Sequence, residues 1–149
     1  MKMRGEGKSP PRVSLKEVLV SWVGAFFGIF AVGFLGHLVQ LEQQDILFLI
    51  GSFGASAVLL YGTPGVPLAQ PRNLMGGHIL SALTGVLMYG WIADPLYLSG
   101  ALSVATAIAV MHLTKTTHPP GGATALIAVI GSERVHQLGF LYVLSPVAL

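Results

Sequence analysis

The stretch VLVSWVGAFFGIFAVGFLGHLV, residues 18–39, decides what kind of protein this is, because it contains no Asp, Glu, Lys or Arg. Its length matches the roughly 20 apolar residues a helix needs to cross a bilayer. No small-residue cleavage signature follows it, so it reads as a retained first span and not as a signal peptide. Ahead of it, Lys2, Arg4, Lys8, Arg12 and Lys16 crowd the N-terminus, leaving only Arg72, Lys115 and Arg134 for the rest of the chain. Basic residues flanking a first span favour the cytoplasmic side, which places the N-terminus in the cytoplasm. Residues 1–16, with Gly5, Gly7, Pro10 and Pro11 among the charges, have nothing to bury and read as a mobile tail. Residues 17–149 read as a single transmembrane domain.

The composition agrees: 53% of residues are hydrophobic and 9% charged, where a soluble domain carries roughly a quarter charged. Water is not the main solvent of this chain. The pI near 9.2 comes largely from the tail, and no basic, aromatic-interleaved surface exists to hold nucleic acid. With no cysteine, disulfides, thiolate metal sites and cysteine nucleophiles are excluded.

Beyond the first run, polar Gln40–Asp45 reads as a loop on the outer side, followed by apolar 46–61. Residues 62–75 hold Pro64, Pro67, Pro71, Arg72 and Asn73, which forbid a continuous helix. Gly76 opens a new run to Ala93, Asp94-Pro95 ends it, and 97–113 makes a fourth. A second break, 114–120, precedes 121–131, which at 1.5 Å per residue reaches only about half the hydrocarbon core. The last run, 138–149, reads as a span cut short. The fold class is therefore an all-α, polytopic membrane bundle with interrupted helices. A weak internal repeat appears when Gly76-Gly77 is laid on Gly121-Gly122, about 45 positions later: apolar helix, proline-bearing break with one basic residue, Gly-Gly pair, small-residue helix. Corresponding broken helices are the best sequence pointer to a transporter's binding site. Counted from the tail, both breaks face the cytoplasmic side.

Each break is expected to end at a helix start, where unpaired N–H groups and the macrodipole amount to roughly half a positive charge. Gly76, Gly77, Gly121 and Gly122 would let a ligand touch that backbone. Arg72 and Lys115 add full charges, Asn73, Thr116, Thr117, His78 and His118 can donate, and neither break holds a carboxylate. An unpaired cation at membrane depth costs a few kcal/mol or more. Asp94, at the far end of a helix from Gly76, would stand about 27 Å away. Glu17 or a neighbouring subunit are the protein candidates for partner; otherwise it is lipid phosphate or a small anion. Ser52 and Ser56, four apart on one helix face, and Thr124, one turn into its helix, read as lining a polar path beside the breaks. His37, His112 and His136 sit near span ends and read as interfacial. No His pair has ligand spacing with a carboxylate, so neither a metal nor another cofactor is expected.

The blocks GSFGASAVLL (51–60), PLAQPRN (67–73) with GGH (76–78), and THPPGGATA (117–125) resemble the HPP family of small integral membrane proteins, named for His118-Pro119-Pro120. The resemblance implies transport of nitrite, the role associated with members in cyanobacteria and plant plastids. It also implies a bacterial or cyanobacterial inner membrane as the location. Some relatives carry a C-terminal pair of nucleotide-sensing modules, which this chain does not contain.

The expected function is thus a transporter or channel for a small inorganic anion, nitrite favoured, not an enzyme, embedded in lipid and working as a homo-oligomer. Two alternatives stand beside it: an intramembrane enzyme acting on an anionic lipid headgroup, which would need an acid, base or nucleophile beyond His78, His118 and hydroxyls, and a non-transporting assembly subunit.

Overall fold

A computed structural model describes residues 12–148; most of the basic tail, residues 1–11, lies outside them. Among the described residues all regular structure is helical. Helix α1 (Leu15–Leu38) starts inside the expected tail, because Ser14 and Glu17 form a capping box: Ser14 Oγ accepts from the Glu17 N–H at 3.2 Å and the Ser14 N–H donates to the Glu17 carboxylate at 2.8 Å. That carboxylate is occupied by its own cap. Helix α2 (Gln43–Ala57) continues through a π turn, Val58–Gly62. A 3-10 turn at Pro67–Ala69 leads into α3 (Pro71–Trp91), and α4 (Leu96–Thr114), α5 (Pro119–Ile130) and α6 (Glu133–Leu138) follow. A final turn, Val143–Ala148, is broken by extended backbone at Ser145.

Three helices among the described residues are long and apolar enough to cross a membrane: Leu15–Leu38, Gln43–Gly62 and Leu96–Thr114. The fold is an all-α membrane bundle. At its centre is the short one. Helix α5 has 12 residues, about 18 Å at 1.5 Å per residue, and nearly every side chain from Pro120 to Val129 is buried between α2, α3 and α4. A half-length helix is tolerated at membrane depth when protein surrounds its ends. Helix α1 lies outermost. Its glycines face α2: a Cβ at Gly24 would stand 2.4 Å from the Tyr61 ring, so that ring seats only because none is there. Trp22, Phe26, Phe30 and Phe34 stack along its exposed outer face.

Three sequence readings are corrected. Helix α3 begins at Pro71 and not at Gly76: Pro71 takes the first helical position, where a missing N–H costs nothing, and Leu74 N–H already closes on the Gln70 carbonyl at 2.9 Å. The irregular segment shrinks to residues 63–70, and α5 likewise starts two residues early, on Pro119 and Pro120. Asp45 is not a solvated loop residue. It lies fully buried in the first turn of α2, where it accepts from the N–H (2.9 Å) and hydroxyl of Ser132, the N-cap of α6. The last apolar run does not form one span, because Gly139 takes a positive φ of 49° and Pro146 interrupts the helix; Tyr142 and Val147 fold back into the core.

The repeat becomes a spatial one. Arg72 touches Thr114, Asn73 touches Thr117 and His78 touches Thr124, at sequence separations of 42, 44 and 46. Contacts whose numbers rise together mean that α3 and α5 run side by side in the same direction. Ser103 to Ala125 and a Cβ built on Gly122 to Val104 run oppositely, so α4 is antiparallel to α5. The two halves are thus parallel repeats related by an axis along the helices. Both breaks lie at one end of the bundle, the end where Ser21 of α1 donates to the Tyr61 carbonyl at 2.7 Å.

Candidate functional site

Ser52 and Ser56 face inward from α2, His78 from α3 and Thr124 from α5, while His118 is the N-cap of α5. All five are buried. Ser56 Oγ lies 2.8 Å from both His78 Nε2 and His118 Nε2, and His78 Nδ1 lies 2.7 Å from Thr124 Oγ1. Ser52 Oγ is 3.0 Å from Thr124 Oγ1 and 2.9 Å from the Pro120 carbonyl, and His118 Nδ1 is 2.8 Å from the Leu68 carbonyl. The His78 ring stacks on Phe53 with centroids 4.5 Å apart.

Counting protons assigns every direction when both rings are neutral. A carbonyl only accepts, so His118 Nδ1–H donates to Leu68 and His118 Nε2 must accept the single proton of Ser56. His78 Nε2–H therefore donates to Ser56, His78 Nδ1 accepts from Thr124, and Ser52 donates its proton toward Thr124 and the Pro120 carbonyl. The result is one directed chain, Ser52 to Thr124 to His78 to Ser56 to His118 to Leu68, in which every donor is used. Beside it lies a cavity of about 330 Å³ between α1, α2, α3 and the C-terminal turn. Apolar residues such as Ile29, Val32, Leu74 and Val147 make most of its wall; Ser56, His78 and Tyr61 are its polar members.

The remaining expected site residues gather at the same end but are otherwise engaged. Arg72 Nη2 donates to the Thr114 carbonyl at 2.9 Å, at the C-terminal end of α4, where a cation also meets the negative end of the dipole. Asn73 Nδ2 donates to the Thr117 carbonyl at 2.8 Å. Thr116 Oγ1 pairs with Thr114 Oγ1 at 2.7 Å, and Lys115, in the left-handed conformation that ends α4, is exposed. Gly76 and Gly77 lie inside α3, so their N–H groups belong to the helix ladder and not to a helix start. Pro119 and Pro120 carry no N–H, and the Gly121 N–H closes on the His118 carbonyl at 2.9 Å. The Gly-Gly pairs are where the repeats cross: a Cβ at Gly121 would stand 2.7 Å from the Gly77 carbonyl oxygen, and one at Gly77 2.4 Å from the His118 Cβ.

Sequence reasoning missed Phe53, Tyr61, the Leu68 carbonyl and Tyr142, whose O–H donates to the Thr124 carbonyl at 3.2 Å. No local pattern marks them. Among the described residues no group of three or more His, Cys, Asp and Glu could hold a metal ion.

The family model for the HPP transmembrane region matches residues 10–149. The chain belongs to the HPP family. Two curated relatives of this HPP chain, both from Dictyostelium discoideum and both named only as transmembrane proteins, are 47% identical over 150 residues and 40% identical over 146. These matches cover 99% and 96% of the chain but 48% and 50% of the relatives, so the chain spans about half the length of the curated relatives it matches. No solved structure matches it.

Proposed function

We propose that this HPP chain is a transporter or channel for a small inorganic anion, with nitrite the favoured substrate. The observation that carries the reading is the buried Ser–Thr–His–Ser–His chain bordering a cavity whose remaining wall is mostly apolar. Polar groups at membrane depth are expensive, and apolar residues of similar size would hold these helices together as well. Hydroxyl and imidazole groups without a fixed charge suit weak, reversible binding of a monovalent anion once a donor is turned toward the cavity. No carboxylate lines the cavity among the described residues. Arg72 and Lys115, exposed at the end where the breaks lie, raise the local anion concentration. Several copies are proposed to assemble in the membrane through the exposed aromatic face of α1.

The test is flux of nitrite, nitrate, chloride and formate in vesicles holding purified protein. Flux above protein-free vesicles is expected, with Ser56→Ala and His78→Gln each lowering it at least about tenfold, equivalent to ~1.4 kcal/mol of barrier. Flux no greater than in empty vesicles refutes the proposal and favours an assembly subunit. One observation favours an enzyme instead: Ser56 lies within 2.8 Å of an imidazole nitrogen, the spacing of a nucleophile and its base. Against it, Ser56 is near the end of a continuous α2 and π helix whose N–H groups are bonded along the helix. The α5 start beside it offers no oxyanion hole, because Pro119 and Pro120 lack N–H groups and the Gly121 N–H closes on the His118 carbonyl. Hydrolysis of a lipid ester that is abolished in Ser56→Ala would reverse this preference.

A further inference from the structure

We propose that this site, read as an anion pathway, takes its anion together with a proton, so that transport is an electroneutral proton–anion symport. The inference rests on the transport reading and on one feature of the geometry: in the neutral chain every donor is already spent. Ser56, the member shared by both imidazoles, gives its only proton to His118 Nε2, and His78 gives its Nε2 proton to Ser56. An anion in the cavity beside Ser56 and His78 therefore meets no free donor from the Ser–His network, and the Tyr61 hydroxyl on the wall is a lone neutral group that carries no charge to balance it.

One added proton changes that. A proton from water in the cavity binds Ser56 Oγ as the original Ser56 proton completes its transfer to His118 Nε2. One hydronium O–H bond and the original Ser56 O–H bond break, a new Ser56 O–H bond and the His118 Nε2–H bond form, and His118 becomes imidazolium with Nδ1–H still on the Leu68 carbonyl. Both imidazole N–H groups now donate to Ser56 Oγ, so its hydroxyl must turn away. The Ser52 carbonyl, 3.4 Å away, is a poor resting place for it; an anion in the cavity is a better one. The imidazolium and the anion then neutralise each other, which removes most of the cost of moving a bare ion through low dielectric. Release reverses each step, the proton returning to water with the anion.

Among the described residues no fixed charge competes for this role. Towards the cavity α1 presents Gly28, Ile29 and Val32, with Lys16 and Glu17 in a separate cleft beyond Tyr61. From α2 and its π turn come Tyr61, a neutral hydroxyl on the wall, and Asp45, held by Ser132 and about 16 Å along the helix from Ser56. On α3, Arg72 is held on the Thr114 carbonyl; the second break brings exposed Lys115, and α5 brings only Thr124. Just ahead of the C-terminal turn, Tyr142 donates to the Thr124 carbonyl.

The experiment uses purified full chain in vesicles loaded with a pH-sensitive dye, with nitrate as probe because nitric acid, unlike nitrous acid, does not cross lipid as the neutral molecule. Expected is acidification of the lumen as nitrate enters, about tenfold faster per unit fall in external pH above the titration range and unchanged when a potassium diffusion potential is imposed. His78→Gln and Ser56→Ala should abolish the proton movement. Since either variant could fail to fold, a second measurement uses the wild-type chain alone: nitrate or nitrite added in lightly buffered detergent should draw about one proton per binding site. Anion flux that carries current, ignores pH and draws no protons overturns the coupling while leaving transport intact. Absence of flux for every anion at every pH overturns transport, and this inference with it.

Discussion

At the scale of single residues, Ser56 and Gly121 show two ways in which one atom matters. Ser56 is the hinge of the directed chain, because its one oxygen serves two imidazoles at 2.8 Å each. Gly121 is decided by an atom it lacks. Its added methyl would meet the Gly77 carbonyl oxygen at 2.7 Å and Ser81 Oγ at 2.9 Å, and the first of these is backbone that cannot swing aside. Gly121→Ala should therefore cost about 1–3 kcal/mol, as overpacking does, and lower the melting temperature in detergent. Gly54→Ala has nothing within 4 Å of its new methyl and should be neutral or stabilise by up to about 1 kcal/mol through helix propensity. Equal shifts for the two variants would show that the crossing is looser than described.

At the scale of elements, the joints between helices are made by side chains gripping backbone. Asp45 holds the start of α6 through the Ser132 N–H and hydroxyl. Asp45→Asn replaces one acceptor oxygen with a donor, and the expected cost is about 1–3 kcal/mol for a buried mismatch. Hydrogen exchange in residues 132–138 should accelerate; unchanged protection there would mean that α6 is held by packing alone. Arg72 joins the two repeats through the Thr114 carbonyl, but in an exposed position. Arg72→Gln should cost no more than about 1 kcal/mol. Its effect on anion flux should be seen at low ionic strength and vanish toward 1 M salt, where the Debye length falls to about 3 Å. A loss of flux that persists in high salt would place Arg72 at the binding step itself.

At the scale of the whole molecule, two parallel helix pairs share a crossing, the short helix α5 fills the middle, and α1 is added on the outside. Helix α1 spends its glycine face on α2 and Tyr61 and leaves its stacked aromatic face exposed. If copies assemble through that face, a single cysteine in this cysteine-free chain is a clean reporter. Phe30→Cys should give a disulfide-linked dimer on oxidation in membranes, whereas Lys115→Cys, exposed at the end of the bundle, should not. Monomer alone from Phe30→Cys would mean that lipid covers α1.

The class of the fold was legible in residues 18–39 and in the scarcity of charge, because the cost of burying backbone in lipid leaves a long apolar run only one common solution, the helix. The existence of two proline-bearing breaks was legible too, and so was the placing of Ser52, Ser56 and Thr124 beside them, since a helix puts residues four apart on one face and a repeat puts equivalent positions in equivalent places. The employment of each group was decided only in three dimensions. Proline reads as a breaker along the chain, yet Pro71 and Pro119 begin helices, and that shift carried the Gly-Gly amides into helix interiors. Arg72 and Asn73 read as free donors until the chain brought the carbonyls of Thr114 and Thr117 within reach. A sequence lists which groups can bond; hydrogen bonds at 3 Å depend on separations in space, and helices more than 40 residues apart meet only when the bundle packs.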